Sequence, residues 1–152
     1  HSFDDQGREY DENGELNSWW TKTDTTRFEK ERKKIVEQYN NFTVFTENVN
    51  GELTQGENIA DVGGLKIALN SFINNNKHTD KDLVNFFECY AELWRLLSTK
   101  EMALQLVKID PHSPAEYRVN GAVQNLPEFY EIMGIKESDP MCLPEKLRCK
   151  IW

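Results

Sequence analysis

The sequence predicts a mainly α-helical fold, helices joined by short irregular segments, and three stretches carry that reading. Between 80 and 98, Leu83, Phe86, Phe87, Tyr90, Trp94 and Leu97 fall at i, i+3, i+4 and i+7 spacings, the recurrence of one face of a 3.6-residue helix. Between about 24 and 40, Phe28, Ile35, Val36 and Tyr39 recur at near-helical spacing, while Arg27, Lys30, Arg32, Lys33 and Lys34 alternate with acids on the other faces. From about 56 to 75 a third helix carries Ile59, Ala60 and Val62 and runs into Asn74-Asn75-Asn76.

In chain order, residues 1–15 set six acids against Arg8, with Gly7 and Gly14 as breakers, and read as a polar loop. Asp11-Glu12-Asn13-Gly14 is a turn; it lacks the alternating oxygens and closing Glu of a calcium loop. The first helix opens at Asp24 or Thr25 as its capping candidate. Residues 42–55 hold a short extended segment and a turn at Asn50-Gly51. Inside the next helix, Gly63-Gly64 costs up to about 1 kcal/mol per residue relative to Ala, which predicts close approach by another backbone. The helix over 80–98 starts at Thr79 or Asp80. A short helix near 100–107, the proline-bounded loop Asp110-Pro111-His112-Ser113-Pro114, a short helix near Pro127–Met133 and an irregular tail to Trp152 complete the chain.

At 152 residues the chain is the size of one domain, yet only 38% of it is apolar, a thin core. Aromatics at 11% argue for folding rather than disorder. A net charge of −8 without a basic run excludes nucleic acid as a natural partner. No stretch approaches the roughly 18 apolar residues of a membrane span, so no membrane contact is expected from this segment. Cys89, Cys142 and Cys149 form neither a disulfide scaffold nor a CxxC pair; Cys142 and Cys149 pair with each other or stay free.

Some residues go beyond folding. Glu57 and Asp61, at i and i+4, share one helix face, where two carboxylates repel unless a cation or a donor lies between them. Their apolar neighbours and the glycine pair point to a tightly packed helix, the setting of a metal site between helices. His112, between Pro111 and Pro114, is presented by a stiff loop. Arg118 offers a planar fork to a carbonyl or carboxylate. Together, His112 and Arg118 beside a metal carboxylate make an electrophilic site for a developing oxyanion. His78, in a polar turn, is read as inert.

Four segments, His1-Ser2-Phe3-Asp4-Asp5-Gln6-Gly7-Arg8, 56–64 (GENIADVGG), 110–121 (DPHSPAEYRVNG) and 149–152 (CKIW), resemble in the same order landmarks of the neprilysin family of zinc metallopeptidases. The resemblance implies that residues 1–152 are the C-terminal part of a thermolysin-like (gluzincin) catalytic domain, beginning at the second histidine of an HExxH helix. It makes His1 and Glu57 zinc ligands, the other histidine and the general-base glutamate lying upstream. Asp61 becomes the acid that steadies the upstream histidine, His112 the oxyanion donor with Asp4 orienting it, and Arg118 the holder of a peptide carbonyl. Trp94 becomes part of the pocket for the side chain after the cut bond. The implied activity is zinc-dependent hydrolysis of short peptides, the isolated segment being inactive and weak in zinc. The implied partners are a peptide substrate, the upstream part of the same peptidase and, through exposed core faces, a second copy. Vertebrate members carry cysteines where this chain has Lys34 and Arg95, so it looks like the bacterial oligopeptidase branch; the bacterial cytoplasm is the favoured location, a secreted or membrane-anchored ectodomain the alternative. The competing reading is a non-catalytic acidic helical domain that binds a protein partner through its aromatic surface.

Overall fold

In the computed structural model, which describes residues 1–75 and 77–151, helices dominate as predicted. After a loop with a 3-10 turn at Gly7–Glu9 come α1 (Lys22–Asn40), a two-stranded hairpin of β1 (Thr43–Val44) and β2 (Glu47–Asn48), then α2 (Gly51–Asn75), α3 (Asp80–Leu93), α4 (Lys100–Ile109), α5 (Ala115–Val123) and α6 (Pro127–Met133). The strands pair antiparallel, Thr43 opposite Asn48 and Val44 opposite Glu47. Asn76 and Trp152, each at the end of a predicted feature, lie outside the described residues.

The first helix starts earlier than its sequence candidates. Thr21 is the cap, its hydroxyl oxygen accepting from the Asp24 amide at 3.1 Å, so Asp24 sits in the first turn, where its charge suits the helix dipole. Phe28, Ile35, Val36 and Tyr39 are all buried, as their spacing requires.

Asn50-Gly51 opens α2 instead of closing a turn. The Asn50 side chain accepts from the Leu53 amide at 3.0 Å, and Gly51 lies against α1, where a Cβ would come within 2.3 Å of the Val36 carbonyl oxygen. The predicted close approach at the glycine pair fails at Gly64, whose Cβ position has nothing within 4 Å. Gly63 is buried, and close contacts at glycine occur also at Gly51 and at Gly121, where Tyr39 fills the space.

A capping box between Thr79 and Asp82 starts α3, which ends at Leu93 rather than 98. Leu97, counted toward the apolar face, is 99% exposed, and its neighbour Leu96 73%. α5 was not foreseen: it follows Pro114 without a side-chain cap and spans only nine residues. α6 carries proline in its first turn and stops at Gly134, whose φ of 66° is the left-handed conformation glycine tolerates.

The core is made where α1 packs on α2, α2 on α5, and α3 on α5 and α6, with Ile35, Tyr39, Ile59, Leu69 and Ala122 at its centre. A buried amide cluster fastens α1 to α5 and the tail. Gln38 donates to the Gly121 carbonyl and to Gln124, Asn125 donates to Gln38, and the Cys149 amide donates to Asn125 at 2.7 Å. The three cysteines are free. Among the described residues, no helix is long and apolar enough to cross a membrane.

Candidate metal and catalytic site

The site is built on one face of α2, against which the N-terminal turn and the 110–114 loop are folded. The turn is wound around Asp4, which is 6% exposed. Its Oδ1 accepts from the Gln6 and Gly7 amides at 3.0 and 2.7 Å, and its Oδ2 meets His1 Nδ1 at 2.6 Å. Glycine is required at position 7, because a Cβ there would lie 1.9 Å from the His1 carbonyl oxygen. The turn rests on α2 at Gly56, where a Cβ would come within 2.8 Å of Asp5 Oδ1. Burial pushes the Asp5 carboxyl above the usual range, and the charge of Asp4 adds to the effect.

This seating turns His1 Nε2 toward Glu57, 3.5 Å from Oε2. The same oxygen is approached by His112 Nε2 at 3.4 Å and by an Arg118 guanidinium nitrogen at 3.5 Å. Three of the predicted site residues therefore converge on one oxygen of a fourth.

Asp61, one turn along α2, accepts both arms of Arg118, at 2.7 and 2.8 Å. Burial raises the Asp61 carboxyl above its ordinary value; the Arg118 hydrogen bonds pull it down without cancelling the rise. The guanidinium lies 4.0 Å over the Trp94 ring, a cation–π contact. Tyr90 donates to the Arg118 carbonyl at 3.1 Å. Beside this stack a cavity of about 460 Å³ is lined by Trp94, Leu106, Val107, His112 and Arg118.

One pairing differs from expectation. Asp4 holds His1, and the carboxylate on His112 Nδ1 is Asp110, at 2.7 Å. Asp110 also accepts the His112 amide at 2.9 Å. Burial works against its charge, but the hydrogen bonds from His112 outweigh it and hold the carboxyl below its ordinary value. Its sequence signal was an Asx turn, an Asp two residues before the backbone amide it captures. Asn58, Thr54 and Ser113, buried behind the site, gave no signal that spacing could reveal.

A bound metal needs lone pairs aimed at one point. With Nδ1 turned to Asp4, neutral His1 presents the Nε2 lone pair to the Glu57 carboxylate. In that tautomer two acceptors face each other at 3.5 Å, a pair that a shared cation, or a proton on Nε2, satisfies. The separation is close to the roughly 3.3 Å between neighbouring ligands of tetrahedral zinc, with bonds of about 2.0–2.1 Å. His1 and Glu57 thus fit two vertices of a zinc site. Among the described residues no group of three or more His, Cys, Asp or Glu side chains is placed to hold a metal.

Residues 1–149 match the sequence profile of Peptidase family M13. The chain belongs to this family. It is 40% identical to endothelin-converting enzyme 1 of Homo sapiens over 162 aligned positions, covering 100% of this chain and 21% of that protein. It is 38% identical to a neutral endopeptidase of Lactococcus lactis, with 100% and 24% covered. Among solved structures, the zinc metalloprotease ZMP1 of Mycobacterium tuberculosis superposes with a TM-score of 0.93 at 38% identity, over 100% of this chain and 25% of that one. PepO of Lactobacillus rhamnosis gives 0.91 at 37%, over 100% and 24%. The chain spans a fifth to a quarter of the length of these relatives, and its helices match the C-terminal quarter of the solved peptidases.

Proposed function

We propose that this M13 chain is the C-terminal segment of a zinc-dependent peptidase acting on short peptides. In this reading His1 and Glu57 hold zinc, and the remaining ligand and the general base come from sequence ahead of His1. The observation that carries it is the convergence of His1, His112 and Arg118 on Glu57 Oε2. When bound, zinc supplies Lewis-acid polarisation of the scissile carbonyl and lowers the pKa of water.

The chain's own residues do the rest. Asp4 keeps the proton on His1 Nδ1, leaving Nε2 free as a ligand atom. Asp110 accepts a hydrogen bond from His112 Nδ1 and so fixes the ring, with Nε2 as the edge that faces the oxygen on which negative charge develops. Asp61 and Trp94 hold the Arg118 guanidinium from two sides, and its outward edge receives a backbone carbonyl of the peptide. The cavity beside Trp94 accepts the apolar side chain after the cut bond.

The test uses the natural polypeptide that carries this segment, with zinc content and peptide turnover measured together. Glu57→Ala is expected to abolish zinc retention. His112→Ala is expected to keep zinc while kcat falls by about 100- to 1,000-fold, the cost of one oxyanion donor. Loss of the metal from His112→Ala would refute the assignment of roles.

A further inference from the structure

Glu57 lies on α2 and His112 in the 110–114 loop, and their relative placement decides whether an oxyanion donor and a metal ligand serve one substrate. Their own contact does not fix it. The two atoms stand 3.4 Å apart as a loose ion pair, and the His112 side chain is 47% exposed.

Behind them runs a dry chain of hydrogen bonds. The Thr54 hydroxyl donates to the Asn50 carbonyl at 3.0 Å, Asn58 Nδ2 donates to Thr54 Oγ1 at 2.9 Å, and the Ser113 hydroxyl donates to Asn58 Oδ1 at 2.8 Å. The direction is forced from the far end. A backbone carbonyl only accepts, so the single Thr54 proton is committed to it. Thr54 Oγ1 must then receive the Asn58 amide, which turns Oδ1 toward Ser113 and makes Ser113 the donor. Asn58 is 0% exposed, Thr54 2% and Ser113 4%, so no water substitutes for a missing partner, and breaking any link leaves a buried polar group unsatisfied. Asn58 follows Glu57 in sequence and Ser113 follows His112. The Ser113 to Asn58 bond therefore ties the backbone next to the metal carboxylate to the backbone next to the oxyanion donor.

We infer that Asn58 and Ser113 are positioning residues that set His112 against Glu57 from behind, an inference that rests on the roles proposed above for those two. A purely structural network would change stability and leave the imidazole where it is. A positioning network moves the imidazole while the fold persists.

Two readouts on Ser113→Ala separate these cases. In the peptidase, kcat is expected to fall about 100-fold, the scale of a misplacement near 1 Å, with KM and zinc content unchanged. Ser113→Thr, which keeps the hydroxyl, is expected to restore turnover. In a His112→Ala background Ser113→Ala is expected to cost nothing more, because the residue it positions is gone. A full additional loss in that background overturns the inference. The second readout needs no activity. In the same polypeptide the Hε1 proton resonance of His112 is identified as the line that His112→Ala removes. Ser113→Ala is expected to shift or broaden the His112 line alone, and an unmoved line overturns the inference. If the parent polypeptide shows no zinc-dependent turnover, the proposed function fails, and the His112 line still decides this point. Should Ser113→Ala not fold, Ser113→Cys, close in shape and a weaker donor, takes its place in both readouts.

Discussion

Replacing glycine by alanine at two helical positions is expected to have opposite signs in this one molecule. At Gly121 a Cβ would lie 2.4 Å from the Tyr39 hydroxyl and 2.5 Å from the ring carbon bearing it, about an ångström inside ordinary contact. Tyr39 has no room to retreat. It is 0% exposed, packs edge-on against Phe42 at 5.3 Å, and donates to the Tyr117 carbonyl at 3.2 Å. Overpacking a tight core costs about 1–3 kcal/mol. The strained hydroxyl bond adds about 1 kcal/mol, and the better helix propensity of alanine returns up to about 1 kcal/mol. Gly121→Ala should therefore lose about 1–3 kcal/mol. At Gly64 nothing stands within 4 Å of the Cβ position, so Gly64→Ala should gain up to about 1 kcal/mol. Urea unfolding followed by far-UV circular dichroism measures both against the parent chain. Tyr39→Phe supplies the check on cause: it removes the atom in closest contact, so the loss from Gly121→Ala should be smaller in that background. A Gly121→Ala protein as stable as the parent would show that α5 does not press on Tyr39, and the packing argument would be wrong.

Thiol titration should count the cysteines by burial. Burial pushes the Cys149 thiol from 9.0 to about 12, which makes its thiolate about 1,000-fold rarer near neutral pH, whereas Cys89 is exposed. A disulfide reagent should modify Cys89 first and reach Cys149 only on unfolding; fast native labelling of Cys149 would contradict its placement. Glu31 should stabilise the fold in a pH-dependent way. Burial opposes its charge, but Lys34 and the Lys150 amide bind the carboxylate and bring it below 4.5. A carboxyl with a depressed folded value contributes fully above its unfolded value and loses that contribution as pH falls through the folded one. The stability gap between the parent chain and Glu31→Gln should therefore be present at pH 7 and shrink below about pH 4. A gap independent of pH would exclude the ion pair as its source.

What could be read from sequence was what repeats or carries a fixed local chemistry. The buried positions of α1 followed from spacing, and the start of α3 from Thr79, one of its two candidates. Periodicity overran the end of α3 because Leu97 continues the apolar pattern while facing solvent. α5 escaped because nine residues between Pro114 and Gln124 offer too few turns for a period to show. Gly64 misled, since a glycine records only that a side chain is missing, and nothing occupies the space there. The residues named for the site do gather, yet the partner of His112 was misjudged and Asn58, Thr54 and Ser113 were missed. Asp4 and Asp110 are both acids near histidines, and only the path of the backbone decides which acid meets which ring. Buried links such as Ser113 to Asn58 join positions 55 residues apart, a relation that no local pattern encodes.

The fastening of α1 by the tail bears on the order in which the molecule is built. Lys34 donates to the Arg148 carbonyl and the Lys150 amide donates to Glu31, across 114 and 119 residues of sequence. On the ribosome, α1 emerges long before the residues that close over it, and contacts at such separation form late and slowly. Until residues 148–150 arrive, the surface of α1 that they cover stays open to solvent and to other nascent chains. A nascent chain arrested before them should be more open to proteases along α1 than the finished one, even with every residue of the candidate site already synthesised.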